Sequence, residues 1–306
     1  MPIKVPDNLP ALSQLHNEGV DIIPDQLAVQ QDIRPLRLLM LNLMPKKKDT
    51  EIQFARLLGS SPLQVELILM TTASYQPSNT EPAYLRRYYR QLEDVKDEYF
   101  DALIVTGAPV ETLDFDKVHY WAELKDIYEW SKTHCFRRLG ICWGAQALMN
   151  LAYDVPKFTM DDKLFGVYAH NLAPEAGRLL HGFTQEFPMP VSRYTMVRSQ
   201  DISSAGLTVL AESDEVGVGM VRCDRTQDLF VLNHLEYDAE TLAAEYDRDI
   251  NEGLSTNIPA NYYPQNNTEN TPINYWRPFA YLLMSNWLND LYQTTLYDLS
   301  KLSDKA

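Results

Sequence analysis

Apolar positions in the first half of the chain fall into short, nearly continuous runs, separated by polar segments in which apolar residues recur at helical spacing. Runs of this kind are typical of strands buried on both faces of a sheet. Four strands are predicted, over 36–43, 63–70 and 100–106 and in the run that ends at Ile141. Each is followed by a predicted helix: one capped by Asp49 or Thr50 and ended by Gly59, then 84–96, 120–133 and a helix from Trp143 onward. This order predicts an α/β fold with a doubly wound, mostly parallel sheet and helices on both faces.

The pattern changes after Leu151, where the apolar runs become shorter. Strand candidates are 164–168, 191–197, 207–211, 216–222 and 229–232. The last two are separated by a polar turn, as in an antiparallel pair. A helix is predicted from Asp238 or Thr241 to Gly253, then a long loop over 254–272 and an apolar helix over 276–291. We therefore expect an antiparallel C-terminal portion of the sheet.

Residues 1–34 show no sustained period and are rich in proline. They are expected to form an extended N-terminal arm, laid over the body or in contact with a partner. The chain has 306 residues, of which 45% are hydrophobic, enough to bury a large core. Residues 35–306 are expected to form a single α/β domain.

Composition excludes several classes of protein. The net charge of −15 argues against a nucleic-acid partner, because phosphate binding needs clustered cations. Three cysteines without Cys-x-x-Cys spacing indicate neither a disulfide framework nor a metal site. No apolar run approaches the roughly 20 residues that span a bilayer, and the start does not resemble a signal peptide. We expect a cytoplasmic protein with no membrane partner.

The strongest motif is Gly-Ile-Cys-Trp-Gly at 140–144, between a predicted strand and a predicted helix. This is the Gly-x-Cys-x-Gly form of a nucleophile elbow, in which flanking side chains would crowd a strained turn. The N–H groups at the helix start favour the thiolate of Cys142 and can bind an oxyanion. Cys142 is therefore predicted to be a nucleophile that accepts an acyl group.

His234 is the one histidine that leaves a buried apolar strand with a carboxylate two residues on. In an extended backbone, residues i and i+2 point the same way, so Glu236 is placed to orient the imidazole. The other ring nitrogen can then take a proton from Cys142. The sequence predicts a Cys–His–Glu triad.

Two further loops follow buried strands, at the edge where open α/β sheets bind ligands. Gly107 lets the backbone approach a ligand closely and is expected to lie in a second wall of the site. The basic turn at 46–48 is suited to an anionic donor such as the phosphates of coenzyme A, and equally to an ordinary solvated loop.

These motifs resemble those of the homoserine O-acyltransferases of methionine biosynthesis, which include the trans-succinylases and transacetylases. The resemblance runs from Met1 to about Leu299. It is carried by the elbow through Ala147, the first ten residues, and the motifs at 34–36, 42–45, 106–109, 165–167, 192–194 and 234–238.

The resemblance implies a class I glutamine amidotransferase-like (flavodoxin-like) fold, a homodimer, and no cofactor besides the co-substrate acetyl-CoA. It implies a ping-pong reaction in which Cys142 carries the acyl group as a thioester, with His234 as base and Glu236 as its partner. Three residues would hold the amino-acid substrate, and Lys47 would lie by the acyl donor. The three are Lys163, Ser192 and Arg248.

The chain departs from the family pattern at Lys46, Tyr84 and Met196. Met196 is close in sequence to Ser192, so the choice between homoserine and serine as acceptor is left open. A glutamine amidotransferase would use the same elbow, but would have no reason for Arg248 and Lys163. A silent binding module would not need the triad.

The acyl group is predicted from Glu111. Relatives with glycine at this position tend to use succinyl-CoA, and those with glutamate use acetyl-CoA. A glutamate that reaches the thioester fills the volume of a longer acyl chain and repels a succinyl carboxylate. Acetyl-CoA is therefore the expected donor, unless Glu111 turns outward to cap the following helix.

Overall fold

A computed structural model describes residues 3–5, 9–17, 22–24, 34–75 and 80–305. The strands are β1 (Ile3–Val5), β2 (Ile22–Pro24), β3 (Leu36–Leu41), β4 (Val65–Met70), β5 (Tyr89–Arg90), β6 (Phe100–Val105), β7 (Cys135–Ile141), β8 (Phe158–Leu172), β9 (Glu186–Met196), β10 (Thr208–Ser213), β11 (Gly217–Arg222) and β12 (Leu229–Val231). The α-helices are α1 (Ala11–Asn17), α2 (Lys47–Leu58), α3 (Pro82–Tyr88), α4 (Leu92–Val95), α5 (Trp121–His134), α6 (Trp143–Tyr153), α7 (Ser199–Ser204), α8 (Thr241–Asn251) and α9 (Arg277–Thr294). Short 3₁₀ helices cover Phe115–Lys117, Pro174–Leu180, Pro264–Asn266 and Leu299–Lys305.

The strands form one mixed sheet in the order β2-β1-β4-β3-β6-β7-β12-β11-β10-β8-β9, with β5 beside β4. The pairs from β2 to β12 are parallel, and those from β12 to β9 are antiparallel. Both the doubly wound parallel sheet and the antiparallel C-terminal portion are confirmed.

Two hydrophobic cores cover the two faces of the parallel strands. In β3, Leu38 and Met40 pack into one core, whereas Leu39 and Leu41 pack into the other. Alternate side chains of a strand point to opposite faces, so a strand buried on both sides needs an unbroken apolar run. This is the run from which β3 was predicted.

Asp101 is the polar exception in such a strand and is fully buried in β6. Its carboxylate accepts hydrogen bonds from Arg34 at 2.9 and 3.1 Å and from the backbone N–H of Arg37 at 2.7 Å. Buried charge is tolerated where it is paired and hydrogen-bonded. The ion pair therefore fastens the chain just before β3 to the neighbouring strand.

The prediction of one helix over 84–96 is wrong. The chain breaks there into α3, the two-residue β5 and α4, because Tyr89 pairs with Leu69 of β4 and its ring is buried. The tertiary contact outweighs the helical preference of a polar segment. The cap predicted at Asp49 or Thr50 is also wrong, since α2 begins earlier, at Lys47.

The arm is not extended throughout. Its described parts are β1, which pairs with β4, then α1 and β2, and Leu15 of α1 is fully buried in the core. Residues 1–2, 6–8, 18–21 and 25–33 of the arm lie outside the described residues. The division into an arm and one domain stays a prediction.

None of the helices in the described ranges is both long enough and apolar enough to cross a membrane.

Candidate active site

Strand β7 passes into helix α6 through Cys142, which has φ 49° and ψ −115°. Residues other than glycine rarely adopt such backbone angles, and each costs about 1–3 kcal/mol. The N–H of Cys142 donates to the carbonyl of Val231 in β12 at 2.7 Å. The turn is thereby anchored to the neighbouring strand, and Cys142 lines a cavity of about 90 Å³, the catalytic cavity.

The surrounding backbone leaves no room for a side chain at either glycine of the elbow. A Cβ on Gly140 would lie 2.6 Å from the Cα of Ala145, and one on Gly144 would lie 2.4 Å from the carbonyl oxygen of Val105. Both contacts are with rigid backbone and are far inside van der Waals distance. The sharp turn thus depends on glycine at both positions.

The start of α6 and the loop after β6 meet at the cysteine. The first N–H groups of a helix, here those of Trp143 and Gly144, have no intrahelical partner. A Cβ on Gly107 would lie 3.5 Å from the Cβ of Cys142 and 3.5 Å from Cε1 of His234. Gly107 therefore lies in the wall of the site, where the sequence predicted it.

His234 and Glu236 are in contact. Nδ1 of His234 lies 2.7 Å from Oε1 of Glu236, and both side chains are buried. The reason differs from the one expected, because β12 ends at Val231 and the N–H of Tyr237 bonds back to the carbonyl of His234 at 3.3 Å. A turn, rather than an extended strand, brings the two residues together.

The surroundings of His234 favour its charged form. Burial lowers the pKa of His234, but the neighbouring Cys142 and the carboxylate of Glu236 raise it, and the outcome lies well above the usual value. An imidazolium beside the sulfur stabilises the thiolate. The ring is held in place by Tyr237, which stacks on it with centroids 4.1 Å apart.

Lys163, Ser192 and Arg248 all line the catalytic cavity, together with a residue that the sequence reasoning missed, Glu245. Lys163 Nζ lies 3.5 Å from Glu245 Oε2 and 2.9 Å from Asp249 Oδ2. The hydroxyl of Ser192 donates to Glu245, and Arg248 donates twice to Asp249, at 2.9 and 2.6 Å. We call these five residues the acceptor cluster.

The acceptor cluster contains two cations and two carboxylates. Burial raises the pKa of Asp249, but the hydrogen bonds from Lys163 and Arg248 outweigh it, and the pKa is lowered. The side chain of Arg248 is 49% exposed, so it can rotate to a ligand. Glu245, Arg248 and Asp249 share one face of α8 at spacings of three and four, the one sequence signal that could have found Glu245.

Glu111 also lines the catalytic cavity, and it does not cap a helix. Burial raises the pKa of its carboxyl group. A hydrogen bond from its own backbone and the charge of Lys163 lower the pKa by less, so the pKa is raised. The turn that carries it is held by Lys157, whose ammonium group donates to the carbonyls of Glu111 and Leu113. The turn that brings Glu111 to the cavity is thus held by two hydrogen bonds from Lys157.

Lys47 is buried beneath the wall of the cavity, and its place by the acyl donor stays a prediction. Its ammonium group is buried and donates to the carbonyls of Asn42 and Met44, at the end of β3. Burial lowers the pKa of Lys47 to about 8, although the nearby Glu51 raises it. Lys47 supports the loop that forms the cavity wall at Met44, and its own side chain does not line the cavity.

Met196 does not line the catalytic cavity either. It lies at the end of β9 opposite Phe158, whereas Tyr194 reaches the cavity beside Ser192. Positions 192 and 194 share one face of the strand, whereas Met196 lies beyond an irregularity in the register between β8 and β9.

A comparison with protein families matches residues 2–297 to the homoserine O-succinyltransferase family. Among similar proteins, the homoserine O-acetyltransferase of Allorhizobium ampelinum is 48% identical over 302 residues, covering 98% of this chain and 97% of its own length. The protein of the same name from Sinorhizobium fredii is 47% identical and covers 99% of both chains.

Solved structures show the likeness of fold. A glutamine amidotransferase from Thermotoga maritima has a TM-score of 0.57 at 12% identity, covering 85% of this chain and 99% of its own. One from Methylobacillus flagellatus has a TM-score of 0.54 at 14% identity, covering 87% and 99%. The fold is therefore that of the class I glutamine amidotransferases.

Proposed function

The chain belongs to the homoserine O-succinyltransferase family of acyltransferases, and on that premise we propose that it transfers an acetyl group from acetyl-CoA to the side-chain hydroxyl of L-homoserine. The observation that carries the proposal is the strained Cys142 beside the buried His234–Glu236 pair. The product would be O-acetyl-L-homoserine, an intermediate of methionine biosynthesis.

In the first half-reaction, the Cys142 thiolate attacks the thioester carbonyl of the donor. The oxyanion is stabilised by the N–H groups at the start of α6. The C–S bond to coenzyme A then breaks, and its thiolate takes the proton held by His234. The enzyme is left as an acetyl thioester with a neutral imidazole.

In the second half-reaction, the hydroxyl of the amino acid gives its proton to His234 while its oxygen attacks the acyl-enzyme. The C–S bond to Cys142 breaks, and the ester leaves. The thiolate–imidazolium pair is thereby restored, so one histidine serves both steps. Glu236 stabilises each imidazolium that forms.

The acceptor is an α-amino acid because the acceptor cluster suits a zwitterion. Arg248 can take the carboxylate through two parallel N–H groups, and the carboxylate of Glu245 can take the ammonium. Homoserine is favoured over serine by the names of the relatives.

Acetyl-CoA is favoured as donor by Glu111. A half-buried carboxylate in the cavity wall occupies the space a succinyl chain would need. The same relatives are named acetyltransferases. The predictions of a homodimer, of a cytoplasmic location and of no cofactor or metal stand unchanged, and light scattering tests the first.

The test is the covalent intermediate. Incubation with acetyl-CoA and no acceptor should add one acetyl group to the intact mass, in a form labile to hydroxylamine. Cys142→Ala should abolish the adduct, whereas Cys135→Ala and Cys223→Ala, at the other buried thiols, should keep it. An adduct that survives in Cys142→Ala would move the nucleophile elsewhere. Release of ammonia from glutamine would instead indicate an amidotransferase.

A further inference from the structure

The catalytic cavity adjoins two larger grooves. One has a volume of about 610 Å³ and shares Pro109, Glu111 and Tyr194 with the cavity. The other has a volume of about 350 Å³ and shares Met44 and Tyr237 with it. Both reach Pro45 and Arg248, so each is a route to Cys142.

The larger groove has more apolar side chains in its lining than the smaller one. Most of its lining is aliphatic, aromatic or proline, including Leu43, Val110, Leu113, Val118 and Leu254, and we call it the apolar groove.

The smaller groove carries more charge. Asp49, Glu240 and Glu245 line it beside Asp238, which is already paired with two arginines, and the cations are Lys46 and Arg248. We call it the acidic groove.

If the protein acts on acyl-CoA as proposed above, the donor cannot fit within the catalytic cavity. A volume of about 90 Å³ holds the acyl thioester and little more. The uncharged pantetheine arm must therefore leave through a groove. A pocket that buries a ligand of that size typically measures about 300–1,000 Å³ and is lined mainly by apolar side chains.

We propose that the apolar groove is the channel of the pantetheine arm, which enters the catalytic cavity past Pro109 and Glu111. Its aliphatic carbons bury apolar surface against Val110, Leu113 and Leu254. The turn at 109–113 forms one wall and is held by Lys157, which donates to the carbonyls of Glu111 and Leu113. Donor and acyl selectivity then lie on the same turn, because Glu111 stands where the arm joins the acyl group.

The acidic groove suits this arm less well. Apolar residues are a minority of its lining, and its volume of about 350 Å³ is little more than half that of the apolar groove. It therefore remains open for the acceptor.

The test narrows one groove and uses a donor that lacks the arm. Leu113→Trp fills the apolar groove at a side chain that is 42% exposed, so folding is not at risk from the core. Leu254→Trp, at 48% exposure, narrows the groove at another point of its lining. Ala244→Trp narrows the acidic groove instead, and Ile273→Trp, at a side chain that is 60% exposed and outside both grooves, is the control. The readout is the second-order rate constant for acylation of Cys142. It is measured with acetyl-CoA and with S-acetyl-N-acetylcysteamine, the short thioester that lacks the arm.

Leu113→Trp should slow acylation by acetyl-CoA roughly tenfold or more, because overpacking displaces the arm, and leave the short thioester within about twofold. Ile273→Trp should leave both donors within about twofold of the unmodified protein, and Ala244→Trp should slow acetyl-CoA no more than the short thioester. The proposal is overturned if Leu113→Trp slows acylation equally with both donors. It is also overturned if neither Leu113→Trp nor Leu254→Trp slows acylation by acetyl-CoA. A selective loss of acetyl-CoA in Ala244→Trp would move the arm to the acidic groove. If the unmodified protein accepts neither donor, the proposed function itself fails.

Discussion

At the scale of single residues, Cys142 shows how strain and function coincide. Its backbone, at φ 49°, is held by the hydrogen bond to Val231 and by the absence of a Cβ at Gly140 and Gly144. Strain of this kind persists only where the surroundings over-determine it. Here it places Cys142 beside His234, the residue proposed to exchange protons with it.

Glu111 gives a prediction about the acyl group. Glu111→Gly should raise kcat/KM for succinyl-CoA by roughly tenfold or more, because it removes both the volume and the negative charge that oppose the longer chain. Glu111→Gln keeps the volume and removes the charge, so comparing the two variants separates the causes. Steady-state kinetics with both donors measures this. An unmodified enzyme that prefers succinyl-CoA would contradict the assignment.

Arg248 gives a prediction about the acceptor. Arg248→Ala should lower kcat/KM for homoserine by about 2 kcal/mol equivalent, the value of a charge-assisted hydrogen bond at a half-exposed site. Acylation by the donor should be nearly unchanged. Arg248→Lys keeps the charge without the two parallel N–H groups and should recover only part of the loss. Equal damage to both half-reactions would show a structural role. Homoserine and serine should be compared side by side.

At the scale of elements, the site depends on the pairing of β7 with β12. These parallel strands carry Cys142 and His234 just beyond their carboxyl ends, so their register brings the proposed nucleophile and base together. At the opposite end of the same strands, Asp228 accepts from the backbone N–H of Arg138 at 2.8 Å and from its guanidinium at 2.9 Å. This buried ion pair locks the register.

Breaking that pair should therefore cost stability. Asp228→Asn leaves the guanidinium of Arg138 buried without its countercharge, which should lower the free energy of unfolding by about 3 kcal/mol. Asp116→Asn is the control, because its pair with Lys117 is exposed and should cost less than about 0.5 kcal/mol. Urea unfolding followed by circular dichroism measures both. Similar losses for the two variants would contradict the role assigned to burial.

At the scale of the whole molecule, His170 links stability to pH. It is fully buried in β8; its Nδ1–H donates to the carbonyl of Tyr168 at 3.0 Å, and its Nε2 accepts from Asn233 at 2.8 Å. A Cβ on Gly219 would lie 2.5 Å from the ring, so the ring cannot shift. Burial lowers the pKa of His170 from 6.5 to about 4.

The lowered pKa of His170 sets the direction in which stability changes with pH. Between pH 6.5 and 4 the unfolded chain takes up a proton that the folded protein refuses, so stability falls as the pH falls, by up to about 3 kcal/mol. His170→Gln can keep both hydrogen bonds but does not titrate. The difference in unfolding free energy between pH 7 and pH 4.5 should therefore be smaller in the variant. Equal differences would mean that His170 does not control this change.

The comparison of sequence with structure has a physical pattern. Strands such as β3 and β6, and the elbow at Cys142, could be predicted because a buried strand needs a continuous apolar run and a tight turn needs glycine. Both are local requirements that a sequence displays. The contact of His234 with Glu236 was predicted for the wrong reason, although their nearness along the chain made it probable under either backbone geometry.

Contacts between residues that are distant in the chain were decided by the tertiary structure alone. The ammonium group of Lys47 is directed inward because it donates to a backbone carbonyl at the end of β3. The helix predicted from Tyr84 is interrupted because Tyr89 pairs with β4. Glu245 joins Lys163 and Ser192 only once α8 packs beside β8 and β9. The sequence by itself thus determined most of the elements and the glycine-flanked turn at Cys142, since these depend on neighbours in the chain. The composition of the acceptor cluster and the lining of the two grooves were decided by tertiary packing, because they depend on which helices and strands come into contact.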